Sequence, residues 1–265
     1  MNKQVTKSDT TQRATMMVAG REVGVVLKAN KRARRMILKV DPVRREVTIT
    51  SPSMRGFSKA LAFAQKHEAW VAERLEDLPE PVPFTDGAVI PVRGEPHVIV
   101  HDREGRARAP VRIEGPQINA DPDLPLFAKS DGPARLLVSG DTAHINRRVT
   151  DWLKREARRD LEDATLAHAA AYGTSPARIT LRDTASRWGS CSTSRVINYS
   201  WRLIFAPPYA LDYVAAHEAA HLIEHNHGPN FWKLVKTRID DIERAKIWLT
   251  ENGAALHRYG ADPIS

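Results

Sequence analysis

The amino-acid sequence predicts an α+β fold in which a small β-rich N-terminal unit precedes a largely helical domain. Three observations predict it. Short runs rich in Val and Ile fill the first hundred or so residues, separated by basic or Asp-Pro turn segments. A long helix is expected from about Thr142 to Tyr172, with Gly173 as its C-terminal cap. A later helix, opened by Pro207-Pro208, carries two histidines four residues apart.

The elements follow in order. Residues 1–19 are polar and irregular and are read as a disordered tail. Strands are expected at Glu22–Lys28, Met36–Val40 and Glu46–Thr50, ended by Ser51-Pro52. A helix from Ser58 to Leu78 places Leu61, Ala64, Trp70, Val71 and Leu75 near helical spacing, until Pro79, Pro81 and Pro83 break it. Gly87–His101 reads as a hairpin about Arg93-Gly94-Glu95. The segment from Arg103 to Pro133 is long for a loop inside a compact domain, and short strands at Val111–Ile113 and Arg135–Ser139 are candidates within and after it. Strands at Arg178–Arg182 and Val196–Phe205 then flank the segment Ala185–Cys191. The expected organisation is a tail over 1–19, a β-rich unit with one helix over 20–102, a linker or insertion over 103–140, and a catalytic domain over 141–265.

Composition narrows the class. The chain has 265 residues, 42% apolar and 27% charged, as expected of a soluble globular protein. No apolar run reaches the ~18 residues of a membrane span, and the polar N-terminus lacks the apolar core of a secretory signal. The single cysteine, Cys191, excludes an internal disulfide and suits a reducing compartment, so a cytoplasmic location is expected. The net charge of +8 owes much to Lys28–Arg45, with eight basic residues against Asp41 alone. Arg147, Arg148, Lys154, Arg155, Arg158 and Arg159 form a second cluster on the long helix. Solvated faces are the default reading, and a nucleic-acid partner is the secondary one, because no RNP-type aromatic motif or Cys-rich finger accompanies the charge.

The chemistry concentrates in Val214–Trp232. His217 and His221 project from one helix face, one turn apart, and can meet a single zinc ion. Glu218 points to the flank, within reach of a water beside the metal. This is the His-Glu-x-x-His pattern of zinc peptidases. Catalytic zinc takes three protein ligands, and His225 and His227 are the candidates for the third. On an unbroken helix His225 lies roughly 9 Å along the axis from the midpoint of the first two, too far for an imidazole. His227 reaches back only if the helix ends first, and Asn226 followed by Gly228-Pro229 supplies the reversal. The spacing matches metzincins, but Glu224 stands where those enzymes have glycine, and no Met-turn follows.

Beyond this motif, Arg187-Trp-Gly-Ser-Cys191, Asn198-Tyr-Ser-Trp-Arg-Leu203, Asp212-Tyr-Val before the histidines, and Asn226-His-x-x-x-Phe-Trp232 closely resemble the YgjP-like metallopeptidase domain. That family is related to SprT-like zinc peptidases, whose His-Gly-Pro-x-Phe segment is similar to His227–Phe231. The resemblance is dense over residues 140–235 and looser over 21–100. Ala219 departs from the commoner Leu, and the Arg103–Pro133 segment is longer than the family suggests. The resemblance implies a zincin-like catalytic domain with His217, His221 and His227 as zinc ligands, Glu218 as general base, and a protein or peptide substrate. Tyr199, Arg202 and Tyr213 are candidates for oxyanion stabilisation by sequence proximity alone. Arg187–Cys191 reads either as an edge strand for an extended substrate or as a core tryptophan followed by a turn. Cys191 is expected to be a small buried residue, and Phe231 and Trp232 to pack the following helix. No role falls to His67, His97, His101, His144, His168 or His257. The competing functions are a non-enzymatic zinc module that binds nucleic acid through its basic surface, or a peptidase recruited to nucleic acid.

Overall fold

A computed structural model describes residues 11–42, 44–53, 56–103, 109–115, 132–184 and 187–261. The expectations for residues 1–10, for most of the 104–131 segment and for Ala185 and Ser186 lie outside the described residues. Among the described residues the fold is α+β, with three small sheets and six α-helices. Contacts divide the chain into two compact units, Met1–Pro81 with Ala261–Ser265, and Val82–Gly260.

The first unit contains β1 (Thr11–Val18), β2 (Arg21–Ala29), β3 (Ile37–Asp41) and β4 (Glu46–Ser51), ordered β1-β2-β4-β3. Helices α1 (Phe57–Lys66) and α2 (Glu68–Glu76) follow. Residues 11–18, read above as part of the polar tail, form a full antiparallel partner for β2. Their apolar signal is sparse because only Met16 and Val18 are buried. Val23, Val25, Leu27, Val47 and Ile49 form the core with Ala60, Ala64, Val71 and Leu75. The single helix expected over Ser58–Leu78 is two helices, broken at His67 (φ −107°, ψ 23°). There the His67 ring takes the Phe63 carbonyl at 2.8 Å, while the His67 backbone N–H bonds Ala64 instead, so the side chain replaces a helical bond. Lys31, Arg32, Arg34 and Arg35 are exposed between β2 and β3.

The second unit opens with β5 (Val89–Val92), β6 (Glu95–Asp102), β7 (Val111–Glu114) and β8 (Ala134–Ser139), ordered β5-β6-β8-β7. The β5–β6 turn has both Arg93 and Gly94 at positive φ, 53° and 82°, which suits a tight two-residue hairpin. The sequence reading grouped this hairpin with the N-terminal unit. Its buried side chains Ile90, Val92 and Ile99 instead share the core of Val82–Gly260, and Arg93 pairs with Glu156 and Asp160 on the following helix. That helix, α3 (Ile145–Ala171), is entered through a 3-10 turn capped by Asp141 and leaves through Gly173 at φ 69°.

The third sheet holds β9 (Arg178–Arg182), β10 (Gly189–Cys191) and β11 (Val196–Ser200) in the order β10-β11-β9, so β10 is an edge. The strand expected to reach Phe205 stops at Ser200, and Trp201–Phe205 form a 3-10 turn with all five residues buried. A continuous apolar run fits a buried strand or a buried turn equally well by pattern. The buried Arg202 guanidinium favours the turn: it bonds Asp183 at 2.7 Å and the Tyr259 carbonyl at 2.6 Å. Helices α4 (Pro208–Ala220), α5 (Pro229–Lys236) and α6 (Ile242–Asn252) complete the unit. Helix α4 is buried on nearly every side, packed along α3, and shows no single apolar stripe. No helix among the described residues is long and apolar enough to cross a membrane.

Candidate metal centre and active site

Helix α4 ends at Ala220, with His221 at its C-cap, rather than near Asn226 as expected. The Ile223 and Glu224 backbone N–H groups both return to the Ala220 carbonyl, at 3.1 and 3.0 Å, which closes the helix. The chain reverses through residues 221–228 and re-enters a helix at Pro229, whose missing N–H costs nothing in a first turn. The reversal carries His227 back. Its Nε2 lies 3.1 Å from His217 Nε2 and 3.2 Å from His221 Nε2. His225 is exposed and outside this group.

These three nitrogens could hold a metal ion, and their chemistry asks for one. His221 Nδ1 lies 2.9 Å from the Glu224 carbonyl. A carbonyl only accepts, so Nδ1 carries the proton and the bare Nε2 lone pair faces the centre. A single proton on His227 Nε2 could serve only one of its two close contacts, leaving the other nitrogen facing it without a hydrogen bond. Nitrogens at about 2.0–2.1 Å from a shared tetrahedral centre lie roughly 3.3 Å apart, close to the spacing found. Two of the imidazoles, His217 and His221, are also pushed towards the neutral form that metal binding requires. Burial, then the neighbouring His221 and His227, pushes His217 down to about 4, and burial likewise lowers His221.

Beneath the triad sits Phe231, fully buried, with its ring centre 4.8, 4.5 and 4.8 Å from those of His217, His221 and His227. Trp232 flanks His217 and His227, with Lys246 Nζ 4.5 Å over its ring. Both aromatic residues therefore pack α5 against the histidines.

Glu218 is buried, with only 5% of it accessible, and its Oε2 has no hydrogen-bond partner among the described residues. Burial raises its carboxyl to about 7, opposed by the charge of Arg187 and the backbone N–H of Cys191. Edge strand β10 crosses directly over it. A Cβ at Gly189 would stand 2.5 Å from Glu218 Oε1 and 2.6 Å from its Cγ, so only glycine fits. Arg187–Cys191 thus combines the two readings of its sequence: Gly189–Cys191 is an edge strand, and Trp188 packs on the core, stacked on His257 at 5.4 Å. Cys191 is partly buried, and burial pushes its thiol up to about 11.

The three oxyanion candidates part company. Tyr199 is buried with its hydroxyl 2.9 Å from Thr165, and Arg202 is committed to Asp183 and two carbonyls. Tyr213 alone borders the triad, its ring centre 5.9 Å from that of His217, with burial pushing its phenol up to about 12. His168, given no role from sequence, is buried and bonded to Asp212 at 2.7 Å and to Arg238 Nε at 3.2 Å. It ties α3 to α4 and to the end of α5. Its partners lie 44 and 70 residues away, so no spacing rule could find it.

Neither the curated proteins nor the solved structures contain a match to the chain. A family model described as the YgjP-like metallopeptidase domain matches residues 34–252, a span that includes every residue of the site above. The chain belongs to the YgjP-like metallopeptidase domain family.

Proposed function

We propose that this protein is a zinc-dependent peptidase of zincin-like build, with His217, His221 and His227 as the zinc ligands and Glu218 as the general base. The observation that carries this reading is the convergence of three imidazoles, with the Nε2 atoms of His217 and His221 at 3.1 and 3.2 Å from that of His227, beside a buried carboxyl group whose Oε2 has no hydrogen-bond partner among the described residues. Three imidazole nitrogen donors suit zinc, and such catalytic sites leave a fourth position open. Bound zinc would supply Lewis acidity, polarising a peptide carbonyl and lowering the pKa of water towards ~7.

The residues of the chain do the rest. The free edge of β10 pairs with an extended peptide through main-chain hydrogen bonds and lays a scissile carbonyl over α4. Glu218 Oε2 accepts a proton from the attacking water, whose oxygen bonds to the carbonyl carbon as the π pair moves onto oxygen. When the C–N bond breaks, the pair on oxygen returns to the carbonyl and Glu218 gives that proton to the leaving nitrogen, so the products are a carboxylic acid, which keeps the second proton of the water, and a free amine. Gly189 keeps β10 close enough to exclude bulk water from the carboxyl group.

The test is zinc content and casein cleavage for the parent protein and Glu218→Gln. The expected variant keeps stoichiometric zinc and loses about 10²–10⁴-fold in kcat. Loss of zinc from Glu218→Gln would make Glu218 part of the metal's support and remove it as the base.

A further inference from the structure

Glu218 handles the proton in the reaction above, but no protein donor has been named for the substrate oxygen that gains charge. Tyr199 and Arg202 are locked into other bonds. Tyr213 is not. It lies four residues before His217, on the same face of α4 and one turn nearer the N-terminus, the direction in which helical side chains lean. Its ring meets the His217 ring edge-on, with an interplanar angle of 65°.

The ring of Tyr213 is anchored in the core, with only 7% of the residue accessible. Yet its hydroxyl bonds to none of the described residues and is not sealed from solvent. A buried tyrosine usually spends its hydroxyl on a partner, so an unpartnered hydroxyl on a ring packed against that of His217 is informative. The acidic groups around it are Glu218 on its own helix and Glu243 on α6. Glu243 holds Lys246 at 2.9 Å, and Glu218 is assigned to the water. The hydroxyl is left free for a ligand oxygen.

We propose that Tyr213 is a catalytic residue, its hydroxyl donating a hydrogen bond to the substrate carbonyl oxygen as that oxygen becomes an oxyanion. This rests on the peptidase reading of the site. Tyr213 keeps its proton throughout, while the water oxygen adds to the carbonyl carbon, the π pair moves to oxygen, and Glu218 carries the transferred proton. Such a donor acts mainly in the transition state, so it governs kcat rather than KM.

The experiment compares the zinc-loaded parent protein with Tyr213→Phe, which deletes one unpartnered oxygen and keeps the ring packing. Five quantities are read: zinc stoichiometry, melting temperature, casein kcat, casein KM, and calorimetric affinity for a phosphonamidate peptide, a tetrahedral anionic mimic. The expected variant has unchanged zinc and melting temperature, near-parental KM, and kcat lower by about 10²–10³-fold. Its phosphonamidate affinity should fall by at least about tenfold, the loss of one charge-assisted hydrogen bond. Parental kcat and phosphonamidate affinity in Tyr213→Phe would overturn the proposal. So would loss of zinc or of melting temperature, since either makes the tyrosine a support for His217. A parent protein that binds zinc but neither cleaves casein nor binds the phosphonamidate removes the peptidase reading itself, and the tyrosine's role with it.

Discussion

Gly189 is the residue on which the environment of Glu218 depends most directly. A methyl group there would overlap the Glu218 carboxyl at 2.5–2.8 Å, so either the strand lifts or the carboxylate turns aside. Displacement of a catalytic group by about 1 Å can cost on the order of 10²-fold in rate. Gly189→Ala is therefore expected to lower casein kcat by about that factor while leaving zinc content unchanged; parental turnover would show the close approach to be inconsequential. The pairing of His217 with His221 could be read from the sequence because residues four apart share one face of a helix. The need for Gly189 could not be read, since the group it must clear lies in another element. His168 was silent for the same reason: buried polar partners are chosen by the fold, whereas periodicity reports only local geometry.

Among the elements, the reversal between α4 and α5 decides which histidine meets His217 and His221. The sequence placed the helix end near Asn226, and the chain turns at Ala220. Both versions bring His227 back to the histidine pair, because Gly228-Pro229 forces a new start whichever residue ends the old helix. This leads to a contrast between neighbours. His227→Ala is expected to lose most of its zinc and all measurable peptidase activity, while His225→Ala keeps both, as judged by metal analysis and casein cleavage; the reverse pattern would reassign the third ligand. Regular elements with strong alternation, such as β2 and β9, fall within a residue or two of their expected limits. The errors arose where one pattern permits two structures. Trp201–Phe205 is apolar enough for a strand, yet Arg202 at its middle needs a carboxylate and carbonyls that a flat strand cannot gather. The Ser58–Leu78 periodicity continues across a break that only the His67 side chain makes.

At the scale of the whole molecule, two separate cores carry different duties. The core of Val82–Gly260 includes Phe231, Val214 and the alanines of α4, so the triad is built directly on it. A ligand that binds only the folded state stabilises it by RT ln(1 + [L]/Kd), about 4 kcal/mol at a thousandfold excess over Kd. One kcal/mol moves the melting point of a 150–250-residue domain by about 2–4 °C. Stripping the metal with a chelator is thus expected to lower the melting temperature by roughly 8–16 °C and readdition to restore it, measured by calorimetry. An unchanged melting temperature would count against a tight site at the triad.

The same unit has a seam at Val82. Its backbone N–H bonds the Arg258 carbonyl at 2.9 Å, and its carbonyl accepts from Gly260 N–H at 2.8 Å, so the unit begins and ends side by side. Nearby, Arg202 clamps the Leu256 and Tyr259 carbonyls. The chain leaves the unit where it entered. A polypeptide closed in this way behaves as a cassette: it can be spliced into a host chain at a single point, or have its original ends joined and new ones opened elsewhere, without any segment having to span the molecule.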